Sequence, residues 1–483
     1  MISSVASRVA GLGALTAAGQ LVIIGSLPTY SKVFEPGTYG EYLIFVGAFT
    51  VVSVLAGVRY DSAIVLPRQD AIAARLSALV MLIALAVSGL IAVATFAATV
   101  LGLSPDEHWA PIERHFGYGL ATATAIGAVQ RCLSAWCVRA RRFLLMGWAQ
   151  FVLSLVTVIA QLSFATIMDQ LPALIWGYVC ALVFQTLCLA PVGLRATSPS
   201  WAPAAAWRGM KIVARKYRRF PTYMVGYALA SSARDRLIQL VLGIGAGAAV
   251  VGRFGLAYRV VFAPNSLIYA AISPVFFGIA SRGTRASVGR FAAGLVETVF
   301  VMLVGPYVAF AIEAPALTDA VLSDRWRGTG PYLQALAGPA LVLSATCWLD
   351  RAFDSFRRQN VAFSLEATFT IISVALVACL SKLAEPVTIA WLFGSAALIY
   401  YWIYFLLTFI ACEFPMEDFW RATRNGLVLA SVVLLGALAI HAVSQPAARV
   451  ALYATLIATV VGVWFRCLGG ATTIRTFTRV ADS

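Results

Sequence analysis

Charged residues are scarce in this chain of 483 residues, of which only 12% are Asp, Glu, Lys or Arg. A soluble globular domain carries about 25% charged residues, so a water-facing surface over the whole chain is excluded. Hydrophobic residues take their place and make up 61% of the sequence. Runs of about 20 such residues are long enough to cross a bilayer as helices. The composition therefore predicts an all-α polytopic membrane protein.

The sequence also has little that points to catalysis or metal binding. It contains three histidines, and its eight cysteines include no CxxC pair, so neither a disulfide framework nor a zinc site is indicated. Walker A, HExxH and GxSxG motifs do not occur. We therefore expect no metal, no cofactor and no enzymatic activity. Without a nucleotide site, transport would have to use an ion gradient or the gradient of the substrate itself.

Apolar runs between charged or Pro/Gly-rich breaks predict fourteen membrane-spanning helices, with bounds uncertain by about 2–4 residues. Their approximate ranges are 9–31, 39–58, 75–102, 117–137, 146–168, 171–194, 222–243, 251–280, 292–314, 331–350, 361–380, 386–411, 426–442 and 448–466. If the N-terminus is cytoplasmic, 26 Lys and Arg residues lie on the cytoplasmic side and 7 on the other. This asymmetry predicts that both termini are cytoplasmic. The basic stretch 208–219 is then an anchor beside anionic headgroups rather than a nucleic-acid site.

The predicted spans repeat along the chain with an offset of about 212 residues, which carries Gly40-Glu41-Tyr42 onto Gly252-Arg253-Phe254. Each repeat has an even number of spans, so the two six-helix halves are parallel, as in transporters whose halves rock around a midplane site. The predicted organisation is an N-terminal half, a basic cytoplasmic linker, a C-terminal half, and two extra helices with a cytoplasmic tail. These segments cover 1–194, 195–220, 221–412 and 413–483.

Once arginines near the ends of spans, such as Arg131 and Arg253, are counted with the adjoining loops, three arginines remain inside predicted spans, two of them in Arg234-Asp235-Arg236 and the third at Arg259. Arginine stays protonated, and a charge near the bilayer centre costs roughly 2.5–3.5 kcal/mol, so such residues face a bundle interior or a hydrated cavity. A cavity of this kind would suit an anionic substrate, whereas an ion-pair network that fixes packing is the structural alternative. Arg234 and Arg236 are about 200° apart on a helix, so only one can face a given point, and we expect Arg234 to do so.

Further charges lie near the cytoplasmic ends of two predicted helices, Arg59 and Asp61 at the second and Arg131 at the fourth. Long basic side chains in such places often anchor a helix by reaching the membrane surface. The functional alternative is a cytoplasmic gate, in which a salt bridge forms in one state of the transporter and breaks in the other.

Several segments carry a family resemblance. They are Gly37-Thr-Tyr-Gly-Glu-Tyr42, Val58-Arg-Tyr-Asp-Ser-Ala-Ile-Val-Leu-Pro67, Arg219-Phe-Pro221, Arg234-Asp-Arg-Leu237 and Gly252-Arg-Phe-Gly-Leu-Ala-Tyr-Arg259, followed by Pro264. In these segments the chain resembles the Wzx-type polysaccharide or O-antigen flippases. They belong to the multidrug/oligosaccharidyl-lipid/polysaccharide (MOP) exporter superfamily. The resemblance covers most of residues 1–412, and its specific part is the second, seventh and eighth predicted helices.

The resemblance implies a MATE-like fold of two V-shaped helix bundles in the bacterial inner membrane. It implies a flippase that moves undecaprenyl-pyrophosphate-linked oligosaccharide to the periplasmic leaflet by alternating access, for O-antigen, capsule or exopolysaccharide synthesis. Expected partners are this substrate, membrane lipids, a polysaccharide polymerase and a chain-length regulator, with no nucleic acid. The positions that could line its cationic cavity are Arg59, Asp61, Arg234, Asp235, Arg236 and Arg259.

Three alternative functions stay open from the sequence. A lipid II flippase is similar in having a helix pair beyond the repeat, but its arginine-rich opening segment is missing here. A multidrug exporter of the same fold predicts an acidic or neutral cavity, which the arginines disfavour. An O-antigen polymerase or ligase usually carries a large periplasmic loop, whereas the longest connector here, 195–220, is predicted to be cytoplasmic.

Overall fold

The structure, a computed structural model, describes residues 2–67, 69–102, 109–196, 203–218, 225–281, 283–381 and 383–467. These residues form helices and turns, with no strand among them. The helices are α1 (Ile2–Val33), α2 (Pro36–Gly57), α3 (Tyr60–Ala63), α4 (Asp70–Val100), α5 (Trp109–Arg139), α6 (Phe143–Phe164), α7 (Gln170–Ala196), α8 (Pro203–Lys216), α9 (Val225–Ala246), α10 (Ala248–Ala280), α11 (Arg285–Val321), α12 (Gly330–Thr346), α13 (Asp350–Ser355), α14 (Gln359–Leu380), α15 (Pro386–Cys412), α16 (Met416–His441) and α17 (Pro446–Cys467).

Twelve helices in the described part of the chain are long and apolar enough to cross a membrane. The chain is therefore a multi-pass, all-α membrane protein, as its composition predicts. The count of fourteen spans stays a prediction. The two helices that make the difference are α5 and α9, which contain polar residues such as Arg131 and Arg236.

The chain forms two compact units, Met1–Gly252 and Arg253–Ser483. In the first unit, α6 packs between α1 and α7, α4 packs against α5, and α9 packs against α2. This unit therefore includes α9, the first helix of the second predicted repeat, and the first turn of α10. In the second unit, α11 packs against α12 and α16, and α15 packs against α12 and α14.

Helix α2 and the first turn of α10 approach each other at Gly40 and Gly252, which are separated by the repeat offset. A Cβ atom on Gly40 would lie 1.8 Å from the carbonyl oxygen of Ala248, and one on Gly252 would lie 1.9 Å from that of Pro36. Pro36 and Ala248 are separated by the same offset, so the contact is symmetric with respect to the repeat. Backbones can approach this closely only where a residue has no side chain.

The repeat also extends to turn conformation. Arg141 and Arg357 each lie two residues before a helix, α6 and α14 respectively, and have φ angles of 53° and 58°. Left-handed backbone is uncommon for residues other than glycine. Its occurrence at matching places in both repeats indicates that the two connections turn in the same way.

Two carboxylates of α11 hold the helix pair that lies outside the repeat. Glu297 is 3% exposed. Its Oε1 atom accepts hydrogen bonds from Asn425 of α16 at 3.0 Å and from Trp464 of α17 at 2.9 Å. About 24 Å further along α11, Glu313 forms an ion pair with Arg449 of α17 at 2.8 Å. Helices α16 and α17 are therefore attached to α11 by polar contacts at two levels.

Candidate functional site

A left-handed turn between α2 and α3 orients the first candidate side chains. Val58 and Arg59 have φ angles of 45° and 56°. Left-handed backbone costs about 1–2 kcal/mol per residue, and a β-branched residue such as valine is an outlier there. The next residue, Tyr60, is buried, and its hydroxyl donates to the carbonyl oxygen of Ala214 in α8 at 3.2 Å. The strained turn is thus held by packing and by a bond to the basic connector helix.

Arg59, Asp61 and Arg131, which the sequence proposes as a gate, lie in one cluster within the first unit. Asp61 is 8% exposed. Its Oδ2 atom lies 3.8 Å from Nε of Arg131, a residue of α5. Arg59 is a further electrostatic neighbour of Arg131. Residues from two separate helical segments therefore meet at the turn that ends α2.

Polar atoms of this cluster are buried without hydrogen bonds. Nε of Arg59, Oδ1 of Asp61, and Nε and Nη2 of Arg131 have no hydrogen-bond partner in the described ranges. Leaving a buried polar group unsatisfied costs about 1–3 kcal/mol, and more when it is charged. Two arginines and one aspartate also leave a surplus positive charge. An anion bound here would accept hydrogen bonds from the unpaired N–H groups of Arg59 and Arg131.

Helix α9 contains the Arg234-Asp235-Arg236 segment. The backbone of all three residues is helical, but the side chains of Arg234 and Asp235 lie outside the described residues. The side chain of Arg236 is half-buried and packs beside Gly47 of α2. Its Nη1 atom donates to Oε1 of Gln239 at 3.1 Å. Arg236 is therefore bound by an amide on its own helix, and the choice of Arg234 as the cavity residue stays a prediction.

Arg259 lies in α10, within the second unit, and is half-buried. The adjacent Tyr258 stacks on Phe262 with ring centroids 4.2 Å apart. The convergence of Arg259 with Arg234 on one site stays a prediction.

One half-buried arginine, Arg253, was counted with a loop from the sequence. Arg253 lies in the second turn of α10, and its Nε atom is buried without a hydrogen-bond partner among the described residues. Tyr332 of α12 is an electrostatic neighbour. The apolar run that predicts this helix begins only at about residue 251, so Arg253 looks like a flanking charge. Gly252, which precedes Arg253 and matches Gly40 in the repeat, could have indicated that the helix begins before residue 251.

Solved structures similar to this chain are membrane transporters. The lipid II flippase MurJ in an inward closed conformation aligns with a TM-score of 0.65 at 12% identity, over 96% of this chain and 99% of that one. An inward-facing multidrug resistance MATE transporter of the MOP superfamily aligns with a TM-score of 0.57 at 14% identity, over 84% and 94%. A MOP superfamily transporter from Pyrococcus furiosus gives 0.54 at 14% identity, over 85% and 96%. At these identities the likeness establishes the fold, which is that of the MOP superfamily.

Sequence comparison gives the family. No curated protein sequence matches this chain. Residues 33–331 match the family of polysaccharide biosynthesis proteins. The matched region includes the left-handed turn, the cluster around Asp61, the arginine segment of α9 and Arg259. It spans more than half of the chain, which therefore belongs to the polysaccharide biosynthesis protein family.

Proposed function

We propose that this protein flips undecaprenyl-pyrophosphate-linked oligosaccharide from the cytoplasmic to the periplasmic leaflet of the bacterial inner membrane. The observation that carries the proposal is the buried cluster of Arg59, Asp61 and Arg131, with its surplus positive charge and unsatisfied donors. Membership of a polysaccharide biosynthesis family supports the carbohydrate part of the substrate. A transporter fold supports movement across the membrane rather than bond making.

The chemistry of the substrate fits this site. A pyrophosphate carries charges that hydrocarbon rejects, and arginine forms strong, charge-assisted hydrogen bonds to phosphate oxygens. Within this cluster, Asp61 partly neutralises Arg131 at a distance of 3.8 Å, which is too long for a hydrogen bond. A phosphate oxygen can therefore replace the carboxylate at little cost. The cluster then acts as a gate whose salt bridge opens when the substrate binds.

The proposal also covers the cavity residues, the membrane topology, the energy source and the partner proteins. Arg234, Asp235, Arg236 and Arg259 contribute to a cationic cavity, and the polyprenyl tail stays in the lipid beside the protein. Both termini are cytoplasmic, transport is coupled to an ion gradient, and the chain is not an enzyme. A polysaccharide polymerase and a chain-length regulator would act on the flipped product.

A lipid II flippase is a second candidate function. The observation that favours it is the alignment with the lipid II flippase MurJ, which covers 96% of this chain and so includes α16 and α17, the two helices beyond the repeat. Both substrates carry a polyprenyl pyrophosphate, so the arginines serve either one. The two functions can be distinguished by complementation. A polysaccharide flippase restores a strain that lacks its polysaccharide flippase, and a lipid II flippase restores a strain depleted of its lipid II flippase.

The test is complementation of a bacterial strain that lacks its polysaccharide flippase. We expect Arg131→Gln, Arg234→Ala and Arg259→Ala each to lose surface polysaccharide while protein levels stay normal. A charge-assisted hydrogen bond contributes about 1.5–3 kcal/mol, so each loss is at least about tenfold. The control is Arg327→Gln, because the Arg327 side chain is 72% exposed and pairs with its neighbour Asp324. Full complementation by all three variants contradicts the cationic site, and rescue of a lipid II flippase-depleted strain alone favours the second candidate.

A further inference from the structure

Helices α14 and α15 leave a groove of about 550 Å³ between them. On α14 its lining runs as one stripe from Asn360 to Ile372, and on α15 it runs from Ala396 to Ile403. Both helices are among those long and apolar enough to cross the membrane. Apolar side chains of the lining, such as Ile372, Ile399 and Ile403, are exposed on these membrane-crossing helices, so a lipid chain is the material suited to cover them.

The lining matches an apolar chain. Its floor contains Phe369 and Tyr400, whose rings stack in parallel with centroids 3.8 Å apart. Ile372 and Ile399 form walls on either side and remain 54% and 60% exposed within the protein. A flat aromatic floor between two isoleucines can cover a flexible hydrocarbon chain along its length, and each buried methylene contributes to binding.

The length of the groove distinguishes among lipids. Asn360 and Ile372 are twelve residues apart, which corresponds to about 18 Å along the helix. One leaflet is half of a hydrocarbon core of about 30 Å, so the groove spans the acyl chain of a single leaflet. A polyprenyl tail has many more carbons than this stretch can cover. The dimensions therefore favour an ordinary glycerophospholipid over the tail of the proposed substrate.

The groove is polar and basic at one end. Asn360, Ser364 and Thr368 follow one another on its α14 side, interleaved with the apolar Val361, Leu365 and Phe369, and beyond Thr368 no polar residue of α14 lines the groove. The turn that precedes α14 contains Arg357 and Arg358, and both are exposed.

The charges at this end do not cancel. Glu413 forms ion pairs with both Arg285 and Arg358. Two arginines thus share one carboxylate, and Arg357 adds a further positive charge. Basic surfaces beside membrane helices attract anionic lipid headgroups.

We propose that the groove between α14 and α15 binds one acyl chain of an anionic glycerophospholipid, whose headgroup lies at Arg357 and Arg358. The chain occupies the aromatic floor, and the ester and glycerol region lies beside Asn360 and Ser364. The site is separate from the proposed substrate cluster, which lies in the other compact unit. Its test does not depend on transport and remains informative if the proposed function is wrong.

The test measures lipid bound to the purified, delipidated full chain by native mass spectrometry. Ala396→Trp fills the groove, and Ala375→Trp makes the same change at an exposed position of α14 outside it. We expect Ala396→Trp to weaken phosphatidylglycerol binding about tenfold and Ala375→Trp to match the wild type. Ser364→Phe, at an exposed position of the lining, is a second groove variant should Ala396→Trp fold poorly.

Two further binding experiments identify the lipid headgroup and the type of hydrocarbon chain. Arg357→Gln should reduce the preference for phosphatidylglycerol over phosphatidylcholine with identical acyl chains, because one of the two arginines at the headgroup loses its charge. Undecaprenyl phosphate should not displace phosphatidylglycerol from the groove. Equal binding by wild type and both groove variants overturns the proposal. Displacement by undecaprenyl phosphate also overturns it, since the groove would then be a site for the substrate tail.

Discussion

At the scale of single residues, the position of Asp61 disfavours a simple helix anchor, while the gate stays a prediction. A side chain that anchors a helix reaches outward to headgroups, but Asp61 is 8% exposed and approaches an arginine of another helix. The left-handed Val58 and Arg59 place it there at a cost of conformational strain. Strain and unsatisfied charge at one turn are typical of sites that complete their contacts only when a ligand is present.

The charge swap Asp61→Arg with Arg131→Asp separates two roles of this pair. If the pair only closes a gate, reversing the charges restores it and the double variant transports normally. If Arg131 also binds phosphate, the swap leaves a carboxylate where an anion must bind. We expect the double variant to be as inactive in surface polysaccharide assays as Arg131→Asp alone, with normal protein levels. Recovery of transport by the double variant would show that the pair serves only as a gate.

At the scale of helices, two kinds of contact join the elements: close backbone packing and side-chain hydrogen bonds. The contact at Gly40 and Gly252 brings backbones together, whereas Glu297 and Glu313 attach the helices outside the repeat through side chains. A backbone contact tolerates no added atom, because protein interiors leave no free volume at such a crossing. A hydrogen-bonded contact tolerates change more readily, since a neighbouring side chain can rearrange.

Replacing either glycine of the crossing with alanine should destabilise the protein. The added Cβ would lie under 2 Å from a carbonyl oxygen at Gly40 or Gly252, so the helices must separate. Overpacking of this kind costs about 1–3 kcal/mol or more. We expect Gly40→Ala and Gly252→Ala to lower the melting temperature of the detergent-purified protein. Gly37→Ala on the same helix, where no atom lies within 4 Å, should leave it unchanged or raise it slightly. Equal melting temperatures for all three would contradict the close approach.

At the scale of the whole molecule, the distribution of positive charge gives an orientation. The chain carries a net charge of +15, and most Lys and Arg residues fall on one predicted side. The basic helix α8 is predicted to lie on that side, so the buried cluster near α8 opens toward the cytoplasm in the proposed function.

Reporter fusions test this orientation. Alkaline phosphatase fused after Arg218, just beyond α8, should be inactive because that segment stays in the cytoplasm. The same reporter fused after Gly328, between α11 and α12, should be active because it is exported. An active fusion after Arg218 would reverse the orientation and reopen the polymerase alternative.

Hydropathy alone predicted the all-helical membrane fold, because helices satisfy their own backbone hydrogen bonds within a membrane. It also singled out Arg59, Asp61 and Arg131, since charge is rare in apolar runs. It could not predict that these three meet, because Arg131 is distant in sequence and Val58 has no preference for the left-handed turn that orients its neighbours. The bonds of Glu297 to Asn425 and Trp464 were equally unpredictable, because they join residues more than one hundred positions apart.

The symmetric contact at Gly40 and Gly252 has a consequence for the origin of the chain. Pro36 faces Gly252 as Ala248 faces Gly40, so each repeat presents the same surface to the other. A self-complementary contact of this form is what two identical subunits make around a two-fold axis. A single six-helix ancestor could therefore have assembled as a homodimer through this crossing before its gene was duplicated and fused. The two glycines would then be one ancestral residue, retained in both copies because the interface became internal to the chain.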